Sequence, residues 1–107
     1  MLDKGKVREI ANEYSEAVKK VLTPDKVILF GSHVNGEPNA ESDIDIAVLV
    51  KGVGGEDWYN ARILLHKIRW GIENFLDVEP HLLDETQDQS GFVEHVIKTG
   101  EIIYQSA

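Results

Sequence analysis

The stretch of sequence that decides the fold is residues 30–46, FGSHVNGEPNAESDIDI. It places a Gly-Ser turn after one apolar run and two carboxylates at the start of the next. Because successive side chains of a strand point to opposite faces, Asp43 and Asp45 share a face and lie about 7 Å apart at roughly 3.3 Å per residue. Carboxylates placed in this way are typical ligands of hard cations such as Mg²⁺. The stretch therefore predicts a metal site at the start of a strand.

The Gly-Ser turn adds a candidate phosphate site. Gly31 lets the backbone approach a phosphate closely, and the Ser32 hydroxyl and the amides that follow can donate hydrogen bonds to it. A Gly-Ser pair alone is a common structural turn. Together with the two aspartates that follow, the turn is a candidate nucleotide site.

An amphipathic helix is predicted ahead of this stretch. Apolar residues recur at three- and four-residue steps from Asp3 to Leu22, and Asp3 is a suitable N-cap. Pro24 ends the helix, because a proline ring cannot continue the hydrogen-bond ladder and disfavours helix in the residue before it. Residues 27–30, VILF, are then expected to form a short buried strand.

The clearest strand runs from Asp43 to Val50. Its even-numbered positions are all Ile or Val, so that face is expected in the core, whereas Asp43 and Asp45 lie on the opposite face. Residues 51–57 contain three glycines and are interpreted as a surface loop, with an active-site rim as the alternative.

Three more elements are expected after this loop. Asp57 caps a helix that reaches to about Asn74. Residues 75–83 form a strand, and Pro80, which has no N–H group, either places that strand at a sheet edge or points away from the neighbouring strand. A last helix around residues 92–97 ends at Gly100, and residues 102–104 form a short final strand.

The predicted order of elements is helix, strand, strand, helix, strand, helix and short strand. This order favours an α/β fold of the α+β type, in which a small mixed β-sheet has helices covering one face. The length of 107 residues fits a single domain, residues 1–107.

Composition excludes several kinds of site and partner. The chain has no cysteine, which excludes disulfides and thiolate metal sites. A net charge of −8 argues against direct nucleic-acid binding, because that binding needs many Lys and Arg contacts to phosphate. No apolar run approaches the roughly 20 residues that cross a bilayer, so we expect no membrane association and a cytoplasmic location.

The combination of Gly31-Ser32, ten intervening residues and Asp43-Ile44-Asp45 resembles the signature of the polymerase-β-like nucleotidyltransferase superfamily. With its apolar flanks and its closing residues 100–104, the chain is similar to the minimal nucleotidyltransferase family. Members of that family often pair with small helical HEPN proteins in toxin–antitoxin systems. The resemblance covers nearly the whole chain and implies a mixed sheet with packed helices.

The resemblance also implies a set of site residues. The Gly31–Ser32 turn would hold a triphosphate, while Asp43 and Asp45 would ligate two Mg²⁺ ions. The third carboxylate of the family lies on a later strand, where Glu79 matches the corresponding segment and Asp77 is the alternative.

The same resemblance implies a reaction and a partner. A nucleoside monophosphate, AMP from ATP, would be transferred to a hydroxyl group, and the acceptor would be a tyrosine of a HEPN-type toxin for which this chain is the antitoxin. Acceptor recognition is then expected from that partner or from a second copy of the chain, which leaves a homo-oligomer open.

One segment departs from the family pattern. Val34 and Asn35 stand where an alanine and an arginine are often found, which removes an arginine contact to phosphate. His33 replaces part of that charge only when it is protonated. A non-catalytic binding or nucleotide-sensing module that neutralises its partner is therefore the alternative function, and modification of a small hydroxylated molecule is a third.

The remaining histidines and the last polar turn have ordinary structural interpretations. His66 and His95 have no companion ligand four residues later and are assigned to packing or to the surface. His81 lies on the predicted face of the third carboxylate and is suited to orient it. Glu85 and Asp88 are interpreted as parts of a solvated turn.

Overall fold

The structure is a computed structural model that describes residues 3–36, 43–72 and 75–106. Its helices are α1 Lys4–Lys19, α2 Ser32–Asn35, α3 Gly55–Ile68 and α4 Phe92–Thr99. Its strands are β1 Lys26–Phe30, β2 Ile44–Val50, β3 Val78–Asp84 and β4 Glu101–Gln105. Short 3-10 turns lie at Arg69–Gly71 and Phe75–Asp77. Within these ranges, no helix combines the length and apolar character needed to span a bilayer.

The four strands form one mixed sheet in the order β3-β2-β1-β4. Strand β1 is antiparallel to β2 and to β4, whereas β3 runs parallel to β2. The prediction of a small mixed sheet is confirmed. The edge position predicted from Pro80 is confirmed as well, because β3 has a neighbour on one side only among the described strands.

One face of the sheet packs against α1 and α3. The buried side chains on this side come from both helices and from three strands, and include Val7, Ile10, Tyr14, Val18, Val27, Ile44, Ile46, Val48, Leu65 and Val78. The Tyr14 hydroxyl donates a hydrogen bond of 2.8 Å to the Leu65 carbonyl, which joins the two helices. Burial raises the pKa of Tyr14 well above its usual value, so the phenol stays protonated at neutral pH.

The other face is covered at one end by α4, which corrects the expectation that helices cover only one face. A second buried cluster contains Ile28, Ala47, Leu49, Val93 and Val96. Ala47 and Leu49 follow Asp45 on the same face of β2, so this apolar end needs a cover that the Asp45 end does not. The result is a face that is closed by α4 around Leu49 and partly open at Asp45.

Several element ends differ from the sequence-based expectations. Helix α1 ends at Lys19, before Pro24 acts on it, although Asp3 is its N-cap as predicted and accepts from the Lys6 N–H at 2.8 Å. Helix α3 begins at Gly55, so Asp57 is not its cap. It lies in the first turn, where its negative charge interacts favourably with the helix dipole. Helix α4 ends before Gly100 as predicted.

The predicted strand at residues 75–83 begins only at Val78, because residues 75–77 form a 3-10 turn. Helix α3 was predicted to reach Asn74. It ends as an α-helix at Ile68 and continues as a 3-10 turn to Gly71. Residues 73–74 and the loop residues 37–42 lie outside the described ranges.

Glu85 and Asp88 are not simply solvated. Asp88 accepts hydrogen bonds from the backbone N–H groups of Val93 and Glu94 at 3.0 and 3.1 Å, which satisfies donors at the start of α4. Glu85 lies 3.3 Å from the Lys26 ammonium, and its side chain is only 14% exposed. Burial, followed by the hydrogen bond with Asp25, raises the pKa of Glu85 above its usual value.

Asp84 holds the loop that follows β2, and its hydrogen bonds make the stability of the fold depend on pH. Its Oδ1 accepts hydrogen bonds from the Thr86 hydroxyl, the Thr86 N–H and the Gly52 N–H at 2.6, 2.8 and 3.2 Å. These bonds, led by the Thr86 hydroxyl, lower the pKa of Asp84. The stabilisation is therefore complete above the unfolded-state pKa of about 3.9 and is lost as the pH falls through the lower folded-state pKa.

We expect Asp84→Asn to melt at a lower temperature than the native chain at pH 7, because the variant lacks the carboxylate charge. The difference in melting temperature between the variant and the native chain should narrow as the pH falls from about 5 to about 2. Thermal unfolding followed by circular dichroism across this range measures the difference, with Glu13→Gln, an exposed carboxylate in the middle of α1, as the control. A gap that stays constant with pH would contradict the assignment.

Candidate active site

The turn after β1 places the backbone directly against a carboxylate of β2. Gly31 has φ +84° and ψ −153°, a backbone conformation that is essentially restricted to glycine. A Cβ atom built on Gly31 would lie 2.5 Å from Oδ2 of Asp45. Both the backbone conformation and the contact therefore require glycine. The predicted helical turn follows as α2, in which the Val34 N–H donates to the Gly31 carbonyl at 3.0 Å.

Asp45 lies between two strands that present partners to it. It pairs with Phe30 of β1 and, in the parallel ladder, with Glu79 of β3. Paired residues on neighbouring strands point to the same face about 4.8 Å apart, so Asp45 and Glu79 lie side by side. Their side chains are 27% and 44% exposed, which leaves both carboxylates accessible to solvent.

His81 contacts Asp45, a contact that sequence analysis missed. Its Nε2 lies 3.0 Å from Oδ1 of Asp45, and because an ionised carboxylate only accepts, Nε2 is the donor in this pair. The imidazole also packs against the Phe30 ring, with centroids 5.1 Å apart in an edge-to-face arrangement. The predicted role of His81 was to orient the third carboxylate, whereas in the structure it orients Asp45. The register of β3 against β2, which sequence alone does not supply, decides between the two.

The other predicted acids, Asp43 and Asp77, lie outside the ladder between β2 and β3. Asp43 precedes β2 and is exposed. Asp77 belongs to the 3-10 turn before β3, so the same-face reasoning applies to Glu79 and not to Asp77. Across residues 3–36, 43–72 and 75–106, no group of three or more acidic or histidine side chains is arranged so that it could hold a metal ion. The structure thus brings Asp45 and Glu79 into register but does not assemble all three predicted ligands.

The chemistry of these residues nevertheless fits a hard divalent cation. The predicted ligand set consists of carboxylates, which are the ligands such cations prefer, and it contains no sulfur. The Asp45 carboxylate itself lies against Gly31, since a Cβ at residue 31 would come within 2.5 Å of its Oδ2. Backbone and carboxylate therefore meet there without a covering side chain from residue 31.

A cation that sequence analysis did not single out lies beside Glu79. Nη1 of Arg69 donates a hydrogen bond of 2.8 Å to the Val78 carbonyl and lies 3.9 Å from Oε2 of Glu79. Its Nε is buried and has no hydrogen-bond partner within the described part of the chain. Arg69 therefore holds the first residue of β3 in place and contributes positive charge next to Glu79.

Packing explains part of the departure from the family pattern at Val34 and Asn35. Val34 packs against the core cluster beneath α1 and α3, so the position is used for packing. His33 is only 8% exposed, which does not favour the predicted replacement of phosphate-binding charge by this side chain. The side chain of Asn35 is outside the part of the chain that the structure describes.

Comparison with known sequences identifies one family over almost the whole chain. Residues 6–107 match the family described as Polymerase beta, Nucleotidyltransferase. MJ0141 of Methanocaldococcus jannaschii, a protein adenylyltransferase by name, is 42% identical over 45 residues. That match covers 40% of this chain and 46% of the relative, so it spans about half the length of the curated relative.

Solved structures share the fold. A nucleotidyltransferase by name from Sulfolobus solfataricus aligns with a TM-score of 0.65 at 24% identity, over 95% of this chain and 83% of that one. A toxin–antitoxin with AMP-PNP aligns with a TM-score of 0.61 at 21% identity, over 90% and 73% of the two chains. A mutant of the toxin–antitoxin MntA-HpeT aligns with a TM-score of 0.60 at 21% identity, over 98% and 75%.

The structural similarities, at these identities, establish the fold. The sequence match over residues 6–107 establishes the family, and it includes the Gly-Ser turn, Asp43, Asp45 and the strand that carries Glu79. It confirms the resemblance that the spacing of the turn and the two aspartates predicted. This chain belongs to the polymerase β nucleotidyltransferase family.

Proposed function

We propose that this chain transfers a nucleoside monophosphate, AMP from ATP, to a hydroxyl group of a protein acceptor. The observation that carries this proposal is the contact between Gly31 and Asp45. It brings the backbone suited to a triphosphate against a carboxylate suited to a metal ion.

Each site residue has a role in the proposal. Gly31 and Ser32 bind the triphosphate through the turn amides and the Ser32 hydroxyl. Asp43, Asp45 and Glu79 hold two Mg²⁺ ions, which when bound supply activation of the acceptor hydroxyl and neutralisation of phosphate charge.

In the proposed transfer, the acceptor oxygen forms a bond to the α-phosphorus of the nucleotide, and the bond from that phosphorus to the β-phosphate oxygen breaks. Pyrophosphate leaves with the electron pair of the broken bond. Glu79 takes the hydroxyl proton or completes the metal ligand set. His81 keeps the Asp45 carboxylate in one orientation through its hydrogen bond of 3.0 Å. Positioning and charge stabilisation therefore do most of the work, as is usual for phosphoryl and nucleotidyl transfer.

The finer part of the proposal concerns the partner. We infer that the acceptor is a tyrosine hydroxyl on a HEPN-type toxin and that this chain is the antitoxin of the pair. Two structures with the same fold are toxin–antitoxin systems, one of them with AMP-PNP, and a partial relative is named a protein adenylyltransferase. These similarities support the inference.

A second candidate function is neutralisation of the partner by binding alone, with the acidic site inactive or used to sense nucleotide. Two observations favour it. Oδ1 of Asp45 is already bonded to His81, and the described residues contain no ready-made metal cluster.

The two candidates are separated by a labelling experiment with the chain and a co-expressed HEPN-type toxin. In the presence of Mg²⁺ and ATP labelled in the α-phosphate, we expect label on a toxin tyrosine, located by mass spectrometry, and loss of toxin activity. Chelating the metal should abolish labelling, because the carboxylates of Asp43, Asp45 and Glu79 are negative themselves and cannot neutralise the charge of the triphosphate. Full neutralisation of the toxin without ATP or metal, and without label, would favour the binding function instead.

A further inference from the structure

The outward face of α3 carries large apolar side chains that remain exposed. Tyr59 is 63% exposed, Ile63 is 37% exposed, and Trp70, in the 3-10 turn that continues α3, is 71% exposed. The inward face is apolar too, since Ala61 and Leu65 are buried. Large apolar side chains that stay exposed together on one face of a helix are typical of an interaction surface. The outward face is therefore suited to contact a partner.

The charges of this face indicate the chemistry of that partner. After Glu56 and Asp57 in the first turn of α3, residues 58–72 contain no Asp or Glu, although the chain as a whole has a net charge of −8. Arg62 and Lys67 are exposed beside the apolar stripe, and neither forms an ion pair with another described residue. We call Tyr59, Ile63, Trp70, Arg62 and Lys67 the docking face. Charge complementarity favours an acidic segment as its occupant.

The docking face is continuous with the candidate active site. A groove of about 380 Å³ runs between α3 and the edge strand β3. Trp58, Arg62 and His66 line it on the helix side. Glu79 and His81 line it on the strand side. Because Arg62 belongs to both surfaces, a chain segment that lies on the docking face leads into the groove and reaches Glu79.

We propose that the docking face binds an acidic segment of the acceptor protein and directs its hydroxyl-bearing residue along this groove to Glu79. Apolar side chains of the segment pack on Tyr59, Ile63 and Trp70, and its carboxylates pair with Arg62 and Lys67. The inference rests on the proposed function for the transfer step, whereas docking requires neither nucleotide nor metal.

A protein segment fits this face better than a nucleic acid. Nucleic-acid binding of useful strength neutralises about 6–10 phosphates. The carboxylate-free stretch supplies Arg62, Lys67 and Arg69, and Arg69 already contacts Val78 and Glu79. An acidic segment with apolar side chains needs only two cations and the exposed aromatic surface.

The test uses a fluorescent random copolymer of glutamate and tyrosine as the probe, with binding measured by anisotropy in the absence of nucleotide and metal. Charge reversal by Arg62→Glu with Lys67→Glu should weaken binding about tenfold or more, because like charges then face each other. A matched control, Lys20→Glu with Lys98→Glu, changes the net charge equally at exposed lysines outside the docking face and should bind like the native chain. Trp70→Ser should weaken binding without any change in charge. Circular dichroism checks that each variant is folded.

Four results would overturn the proposal: equal binding by the charge-reversed variant, equally tight binding of a lysine–tyrosine copolymer, the same charge-dependent binding of a single-stranded oligonucleotide, or a homodimer in sedimentation that Trp70→Ser dissociates. Adding ATP and Mg²⁺ separates this proposal from the proposed function. Binding that depends on Arg62 and Lys67, together with no AMP transfer to a co-expressed HEPN-type toxin, supports docking and contradicts the transferase. Transfer to the copolymer that is unchanged in the charge-reversed variant supports the transferase and contradicts docking.

Discussion

Gly31→Ala is expected to reduce nucleotide transfer by about a thousandfold while the chain remains folded. The new methyl group has two unfavourable consequences. The backbone at φ +84° and ψ −153° costs of order 1–3 kcal/mol for a residue with a Cβ. The Cβ would also lie 2.5 Å from Oδ2 of Asp45, so the turn or the carboxylate has to move. Either movement displaces a group that the reaction needs, and a displacement of about 1 Å already costs about a hundredfold.

The matched control is Gly52→Ala. Gly52 also has a positive φ, +68°, but a Cβ there would meet no atom within 4 Å. The Gly52→Ala variant should transfer nucleotide within about twofold of the native rate. Its free energy of unfolding should fall by roughly 1–2 kcal/mol, as at other left-handed positions, which lowers the melting temperature by a few degrees. Steady-state labelling and thermal unfolding are measured on both variants. A Gly31→Ala variant that labels the acceptor at the native rate would show that the contact with Asp45 has no role in transfer.

The elements that sequence predicted well are those set by local chemistry. Asp3 caps α1, Gly100 follows α4, and the alternation in β2 separates Asp45 from the core face, because each depends on residues within one turn or one strand. The errors have non-local causes. Helix α4 covers the sheet face that carries Ala47 because that surface is apolar, and this packing is not visible in α4 alone.

The candidate site shows the same division. The turn at Gly31 and the acids at Asp43 and Asp45 were found from spacing, since residue types and distance along the chain define them. The contacts of His81 with Asp45 and of Arg69 with Glu79 depend on the register between β2 and β3 and on the turn that follows α3. No pattern within either segment encodes that register.

Glu79→Gln is expected to reduce nucleotide transfer by about a thousandfold. The register between β2 and β3 favours Glu79 over Asp77 as the third carboxylate. Glu79 pairs with Asp45 across the parallel ladder, so its carboxylate shares a face and a neighbour with the aspartate. Glutamine keeps the size of the side chain but removes the negative charge and the ability to accept a proton. The fold should be unchanged, because the side chain is 44% exposed and its contact with Arg69 is long, 3.9 Å.

Asp77→Asn is the matched control, because it makes the same chemical change two residues earlier. Asp77 lies in the 3-10 turn before β3, outside the ladder that brings Glu79 beside Asp45. Its transfer rate should therefore stay within about tenfold of the native rate. Titration of the variants with Mn²⁺, followed by electron paramagnetic resonance, adds a measurement that is independent of turnover. Weaker Mn²⁺ binding in Glu79→Gln than in Asp77→Asn assigns the third ligand to Glu79. The reverse order would mean that the chain before β3 rearranges when metal binds, so that Asp77 takes the place beside Asp45.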